Sequence, residues 1–274
     1  MKDPCKEVTQ AGGGLERTIR LVECLLGENG CPWDRKQTPD SLTVYLIEEV
    51  FELVDAIEAG DPAAVCEELG DVLFQLVFVA RLFAKDGHFT IDEVIRRNTE
   101  KMIRRHPHVF SDARVSTAEG VRQRWGEIKK AEKGDKPGTG SVLDSVPAKL
   151  PALLRAYRLS ERASRTGFDW DDLKGVMEKV GEEWAEFSAV VSKASADARE
   201  AEMELGDLLF TLVNVARLAR IHPEKSLSRA ARKFERRFRE MEKMAQDSGR
   251  PIDEVPRQEK EELWEKAKRR LGGD

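Results

Sequence analysis

Two carboxylate motifs in the second half of the chain have the residue types and spacing to do chemistry. Glu182-Glu183-Trp184-Ala185-Glu186 is followed, eighteen residues after Glu186, by Glu204-Leu205-Gly206-Asp207. Acids three apart are neighbours on one helical face. Two such helices side by side would aim Glu183, Glu186, Glu204 and Asp207 at one point. Four carboxylates that close repel one another and lose water, so they stay together only with compensating positive charge. A set of hard oxygen ligands suits Mg²⁺, with Mn²⁺ as a substitute. The arrangement also occurs earlier, as Glu48-Glu49-Val50-Phe51-Glu52 and Glu68-Leu69-Gly70-Asp71.

Basic residues follow each acid pair in the same order. Lys233 and Arg237 are four apart, as are Lys101 and Arg105; Trp264 precedes Lys268 by four, as Trp125 precedes Lys129. Arginine grips phosphate oxygens in a fork and lysine acts as a compact charge, so a metal cluster beside Lys233, Arg237 and Lys268 describes a polyphosphate site. Trp264 could stack on a base or simply anchor the last helix to the core; the residues alone leave both open. An isolated ExxE is usually a solvated helix face. Here Val180, Trp184, Phe187, Leu205, Leu208 and Leu209 interleave with the acids, which predicts a half-buried boundary. Gly70 and Gly206 each cost a helix about 1 kcal/mol against alanine, so their shared position suggests a close approach of backbone or ligand.

The elements that must position these groups are helical throughout, and the fold class expected is all-α. Leu15 to Leu26 reads as a first helix, ended by Gly27 to Pro39. A second runs from Ser41 to Gly60, with Leu42, Leu46, Val50, Leu53 and Ile57 inward. Asp61-Pro62 caps a third, Ala63 to about Asp86, whose stretch Val72–Ala84 is apolar nearly all round and expected to be buried on several sides. Helices about Asp92–Arg105 and Thr117–Lys133 complete the first half. The second half repeats the plan after a bridging helix, about Ala152–Arg165. Its helices are Leu173 to about Ala196, Ala198 to about Ile221, Ser226–Asp247 and Glu259–Leu271. Acids, bases and tryptophans recur in one order, the signature of internal duplication. The expected organisation is a flexible segment 1–14, a helical domain 15–133, a linker 134–140 and a second helical domain 141–274.

At 274 residues two ordinary cores are the better expectation than one. A net charge of −5 argues against a duplex nucleic-acid binder, and no nucleic-acid partner is expected. The start of the chain is polar and glycine-rich, unlike a signal peptide, and no apolar stretch is long enough to span a bilayer, so the expected location is the cytoplasm, with no membrane partner. Cys5, Cys24, Cys31 and Cys66 form no CxxC pair and are expected as reduced thiols.

Taken together, Gly30-Cys31-Pro32-Trp33-Asp34, EExxE with ELGD, Arg-Arg-His-Pro-His-Val-Phe at 104–110, Gly-Phe-Asp-Trp at 167–170 and Lys-Phe-Glu-Arg-Arg-Phe at 233–238 resemble the MazG family of nucleoside triphosphate pyrophosphohydrolases. The resemblance runs from about Leu15 to Leu271. It implies an all-α homodimer in which helices of two subunits form each four-helix bundle. The implied reaction is Mg²⁺-dependent hydrolysis of a nucleoside triphosphate to monophosphate and pyrophosphate. Carried over, Glu183, Glu186, Glu204 and Asp207 are the metal-binding acids, and Lys179, Lys233, Arg237, Trp264 and Lys268 contact the nucleotide. Glu182 or Glu183 would orient or deprotonate the attacking water. Residues 141–274 would be the main catalytic unit, while Glu49, Glu52, Glu68, Asp71, Lys101, Arg105, Trp125 and Lys129 outline a second site. At Glu200 the chain departs from relatives that carry a basic residue near the nucleotide.

Rival readings fare less well. A di-iron oxidoreductase needs Glu three residues before a metal-binding His, and none of the 4 histidines has one. A P-loop enzyme needs GxxxxGK[ST], which is absent. A non-catalytic helical scaffold would leave the acids facing solvent.

Overall fold

The computed structural model describes residues 13–111, 114, 116–132, 140–193 and 197–272. All but Gly13 and Gly14 of the expected flexible start, and all but Gly140 of the expected linker, fall outside those residues. The chain divides into two compact units, Met1–Lys136 and Pro137–Asp274, and no strand occurs among the described residues.

In the first unit, α1 (Leu15–Leu26) ends where Gly30 tucks under it. A Cβ on Gly30 would lie 2.1 Å from the Leu25 carbonyl oxygen, and the Cys31 amide donates to that same oxygen at 2.9 Å. The first Gly-Cys-Pro-Trp-Asp motif is thus a helix terminator that only glycine can fill. Helices α2 (Leu42–Ala59) and α3 (Pro62–Lys85) form a hairpin. Gly60 takes the left-handed conformation at the turn, φ 71°, and the Asp61 carboxylate accepts from the Ala63 and Ala64 amides. The core gathers Val22, Leu42, Val77, Phe78 and Leu82. Burying each contributes about 1.5–3 kcal/mol. Thr90 caps α4 (Ile91–Arg105); a short α5 (Pro107–Phe110), not expected from the sequence, precedes α6 (Ala118–Glu132). The Glu132 carboxylate takes Arg104 at 2.8 Å and Arg105 at 2.5 Å, pinning α6 to α4.

In the second unit, α7 (Ala152–Ser164) packs on α9 and α10, α8 (Leu173–Val191) pairs with α9 (Ala198–Leu218), and α10 (Pro223–Asp247) pairs with α11 (Arg257–Leu271). Helix α10 starts three residues before the expected Ser226, because Pro223 suits a first helical position. Met241, Met244 and Ala267 form the core of the α10–α11 pair. Three short 3₁₀ turns, Asp34–Lys36, Val142–Ser145 and Ile252–Glu254, were not expected either.

Three expectations need correction. Val50 and Ile57 were expected inward on α2 but are 41% and 57% exposed. Leu73 and Leu76 on α3 are also exposed, although Val77, Phe78, Ala80 and Leu82 further along the helix are buried. The reason is that α2 and α3 pack on each other and α3 also on α1 and α4, and among the described residues no helix of this unit covers these side chains. Cys24, half-buried on α1, is disulfide-bonded, against the expectation of reduced thiols; Cys31 and Cys66 are free.

The Gly-Phe-Asp-Trp motif is tied down from a distance. The Arg217 guanidinium on α9 donates to both carboxylate oxygens of Asp169, one bond at 3.0 Å, and to the Oδ1 of the buried Asn214 at 3.2 Å. Those bonds hold the Asp169 carboxyl below the usual range. A depressed folded value stabilises above the unfolded value of about 4 and fades as pH falls through the folded one. Asp169→Asn is therefore expected to lower the urea midpoint by the equivalent of about 1–2 kcal/mol at neutral pH. The gap from wild type should close below about pH 4. A pH-independent gap would mean that packing, not charge, sets the loss.

Candidate metal and polyphosphate site

Helix α8 carries the EExxE motif and α9 the ELGD motif, and their pairing brings the acids together. One carboxylate oxygen each from Glu183, Glu204 and Asp207 lies within 4.8 Å of the others. Glu183 is only 6% exposed, Glu204 is half-buried and Asp207 is exposed, so the cluster opens outward from a buried base. Burial raises the Glu204 carboxyl, and Glu186, Asp207 and Glu183 raise it further by repulsion. Glu186 thus stands beside the cluster without joining its three converging oxygens.

Lys179 lies one turn before Glu183. Its ammonium is 2.9 Å from Glu183 and 3.1 Å from Glu182, and those two bonds push its pKa well above the ordinary lysine value. The i,i+4 spacing foreshadowed this pairing, although the resemblance assigned Lys179 to a nucleotide. Glu182 itself is turned out, 63% exposed at its side chain.

The first half repeats the cluster with different support. Glu49, Glu68 and Asp71 also bring one oxygen each within 4.8 Å. Burial raises the Glu49 carboxyl, then Asp71 and Glu52 repel it, while a hydrogen bond from Gln75 opposes them. Glu68 is raised by desolvation, then by Glu52 and Asp71. Glu52 therefore plays here the part of Glu186.

Both oxygen triads fit a hard divalent cation. Ligands about 2.1 Å from one ion lie at most about 4.2 Å apart across it, so small side-chain rotations close either set. Gly70 and Gly206 sit beside these acids, and a Cβ on either would meet nothing within 4 Å. Among the described residues no neighbouring atom requires the glycine at either position.

The basic residues gather on the next helix pair. The Arg237 guanidinium lies 6.0 Å from the Trp264 ring centre, and Phe234 packs on the same ring at 5.4 Å. Lys268 pairs with Glu265 at 2.7 Å, and Lys233 is half-buried on α10. Trp264 also touches the Met241–Met244–Ala267 core, so it both anchors α11 and offers a partly open face. Among the described residues no ion pair links Lys233, Arg237 or Lys268 to the acids of α8 and α9. In the first half, Lys129 lies 5.9 Å from the Trp125 ring centre, His106 packs edge-on against that ring, Arg105 is spent on Glu132 and Lys101 is half-buried. Sequence reasoning missed the His106–Trp125 and Phe234–Trp264 contacts. Glu200 pairs with Lys193 at 3.2 Å.

Known proteins resemble this chain in sequence. The MazG nucleotide pyrophosphohydrolase domain matches residues 37–110 and 172–241, which hold both acid clusters and the basic pairs of α4 and α10. The chain is 45% identical over 265 residues to the nucleoside triphosphate pyrophosphohydrolase/pyrophosphatase MazG of Thermotoga maritima, spanning 97% of this chain and 98% of that one. It is 41% identical over 256 residues to the nucleoside triphosphate pyrophosphohydrolase of Escherichia coli K12, 93% of this chain and 97% of that one. The crystal structure of a mazG-related protein from Thermotoga maritima aligns with 42% of this chain and 99% of its own at 30% identity, TM-score 0.38.

Proposed function

Because this chain belongs to the MazG nucleotide pyrophosphohydrolase family, we propose that its working centre is the α8–α9 acid cluster, with Mg²⁺ as the metal and nucleoside triphosphates as substrates. The chain is a hydrolase, a nucleoside triphosphate pyrophosphohydrolase with two tandem domains of this family. One observation carries the site: Glu183, Glu204 and Asp207 converge to within 4.8 Å on one open-sided cluster.

Glu183, Glu204 and Asp207 would hold the ion and Glu186 would add charge beside them. A divalent cation held there would supply neutralising charge for the α-phosphate and activation of a water. The water oxygen then bonds to the α-phosphorus, the bond from that phosphorus to the bridging oxygen breaks, and pyrophosphate departs. Glu182 or Glu183, the two acids that share the Lys179 ammonium, orients the water and takes its proton. Lys233, Arg237 and Lys268 meet the charge that builds on the leaving pyrophosphate, and Trp264 offers its face to the base. The cluster of Glu49, Glu68 and Asp71, with Glu52 beside it and Lys101, Arg105, Trp125 and Lys129 on α4 and α6, serves as a lesser second site.

The enzyme works as a homodimer in this reading. Val44, Ile47, Phe51, Leu69, Leu73 and Leu76 leave the α2–α3 pair apolar and exposed, and Trp184, Met203, Leu205 and Leu209 do the same for α8–α9. Exposed apolar area on this scale is normally covered by another chain. No helix among the described residues is long and apolar enough to cross a membrane.

Incubation with Mg²⁺ and each nucleoside triphosphate in turn tests the activity. Monophosphate and pyrophosphate should appear in equal amounts, and chelation with EDTA should stop both. Release of orthophosphate with a diphosphate, or turnover indifferent to chelation, would overturn the reading.

A further inference from the structure

The two acid clusters are built alike but balanced differently. Four residues before Glu183 stands Lys179; four residues before Glu49 stands Tyr45. The Tyr45 ring packs edge-on against Trp33 with centres 5.6 Å apart and belongs to the surroundings of the first core. The carboxylate it precedes, Glu49, receives a neutral amide hydrogen from Gln75. Glu183, the most buried of all these acids, instead receives an ammonium at 2.9 Å. A buried carboxylate needs a positive partner or a donor, and the halves answer that need with different chemistry.

Resting on the metal site proposed above, we propose that Lys179 is the resident counter-ion of the α8–α9 cluster, and that a divalent cation must displace its ammonium from Glu183 in order to bind. Lysine can do this because its charge rides on a flexible four-carbon stem and is 39% exposed, so it has somewhere to go. The cation and the ammonium compete for one buried carboxylate. The metal-free cluster of the second half is held together at the expense of metal affinity, whereas among the described residues no ion pair engages Glu49, Glu68 or Asp71. Lys179 is thus a positioning residue acting through Glu183: it keeps the acids gathered while the ion is away and weakens the ion's hold when it arrives.

Mn²⁺ binding to the full-length chain without nucleotide, followed by electron paramagnetic resonance, tests this apart from turnover. Lys179→Met should tighten Mn²⁺ at the second-half cluster about tenfold or more, the scale of one close charge at a partly exposed site. Asp207→Ala in the same background should remove that tightened binding, which places it on this cluster. Lys179→Arg, which keeps the charge, should stay near the wild-type affinity, and Lys179→Gln serves where the Met variant folds poorly. Affinity unchanged or weakened in both neutral variants, with Asp207→Ala still removing one of the Mn²⁺ sites, would overturn the counter-ion role and leave the metal site standing. Mn²⁺ binding indifferent to Asp207→Ala would instead remove the metal site itself, and the counter-ion role with it.

Discussion

Asp207→Ala is expected to leave no more than about one thousandth of the wild-type kcat, with helical circular dichroism intact and no loss of thermal stability. The activity estimate follows from the charge the position supplies. Losing one of three converging oxygens weakens the hold on the ion and its support of the α-phosphate, an effect of about 4 kcal/mol on the barrier, or roughly a thousandfold. The stability estimate follows from the electrostatics of Glu204. Burial and then repulsion from Glu186, Asp207 and Glu183 hold its carboxyl above the ordinary range. A carboxyl raised in the folded state favours folding only where it is protonated, below its unfolded value of about 4.3, and that benefit fades as pH rises through the folded value. At neutral pH the cluster strains the fold, so removing Asp207 relieves repulsion. Pyrophosphate release and a thermal melt on the same preparation check both halves. A variant that melts well below wild type would show that the acids knit α8 to α9. The matching Asp71→Ala should lower activity much less; equal losses from the two would mean two working sites.

Arg237→Ala is expected to reduce kcat/KM about a hundredfold, and Arg237→Lys to recover little of it. The guanidinium is placed by its contact with Trp264, where a planar fork can lie against the ring and still donate outward. Lysine keeps the charge but loses the fork and much of the stacking. About 2.7 kcal/mol, two charge-assisted bonds to a phosphate, corresponds to that factor. Initial rates of pyrophosphate formation across a range of ATP concentrations provide the measurement. Unchanged kcat/KM in the alanine variant would separate the α10–α11 cluster from the site, a real question because no ion pair among the described residues joins it to the acids.

Much of this was legible in the residues alone. Asp61-Pro62 and the break at His106-Pro107 marked helix ends because capping and the missing proline donor are local effects. The acid clusters were legible because i,i+3 spacing fixes a face and the motif pair occurs twice. What stayed hidden depends on partners distant in sequence or on side-chain angle. Asp169 meets Arg217 across 48 positions, which no local pattern announces. Glu186 shares a face with Glu183, yet its oxygens miss the triad, since spacing sets the face and not the final rotamer. Val50 and Ile57 lie on an apolar stripe, and periodicity tells that a stripe exists without telling what covers it.

That stripe bears on how each half would choose its mate in the proposed homodimer. Leu69, Leu73 and Leu76 on α3 correspond in order to Leu205, Leu209 and Leu212 on α9, so these two ridges offer a mate the same leucines. The ridges of α2 and α8 have drifted apart: Val44, Ile47 and Phe51 in one stand where Glu178, Gly181 and Ala185 stand in the other. A bulky ridge set against one that carries a charge and a gap makes a poor match. In the homodimer proposed above, discrimination of like from unlike would fall to the first helix of each hairpin, while the second offers the same leucines in both halves.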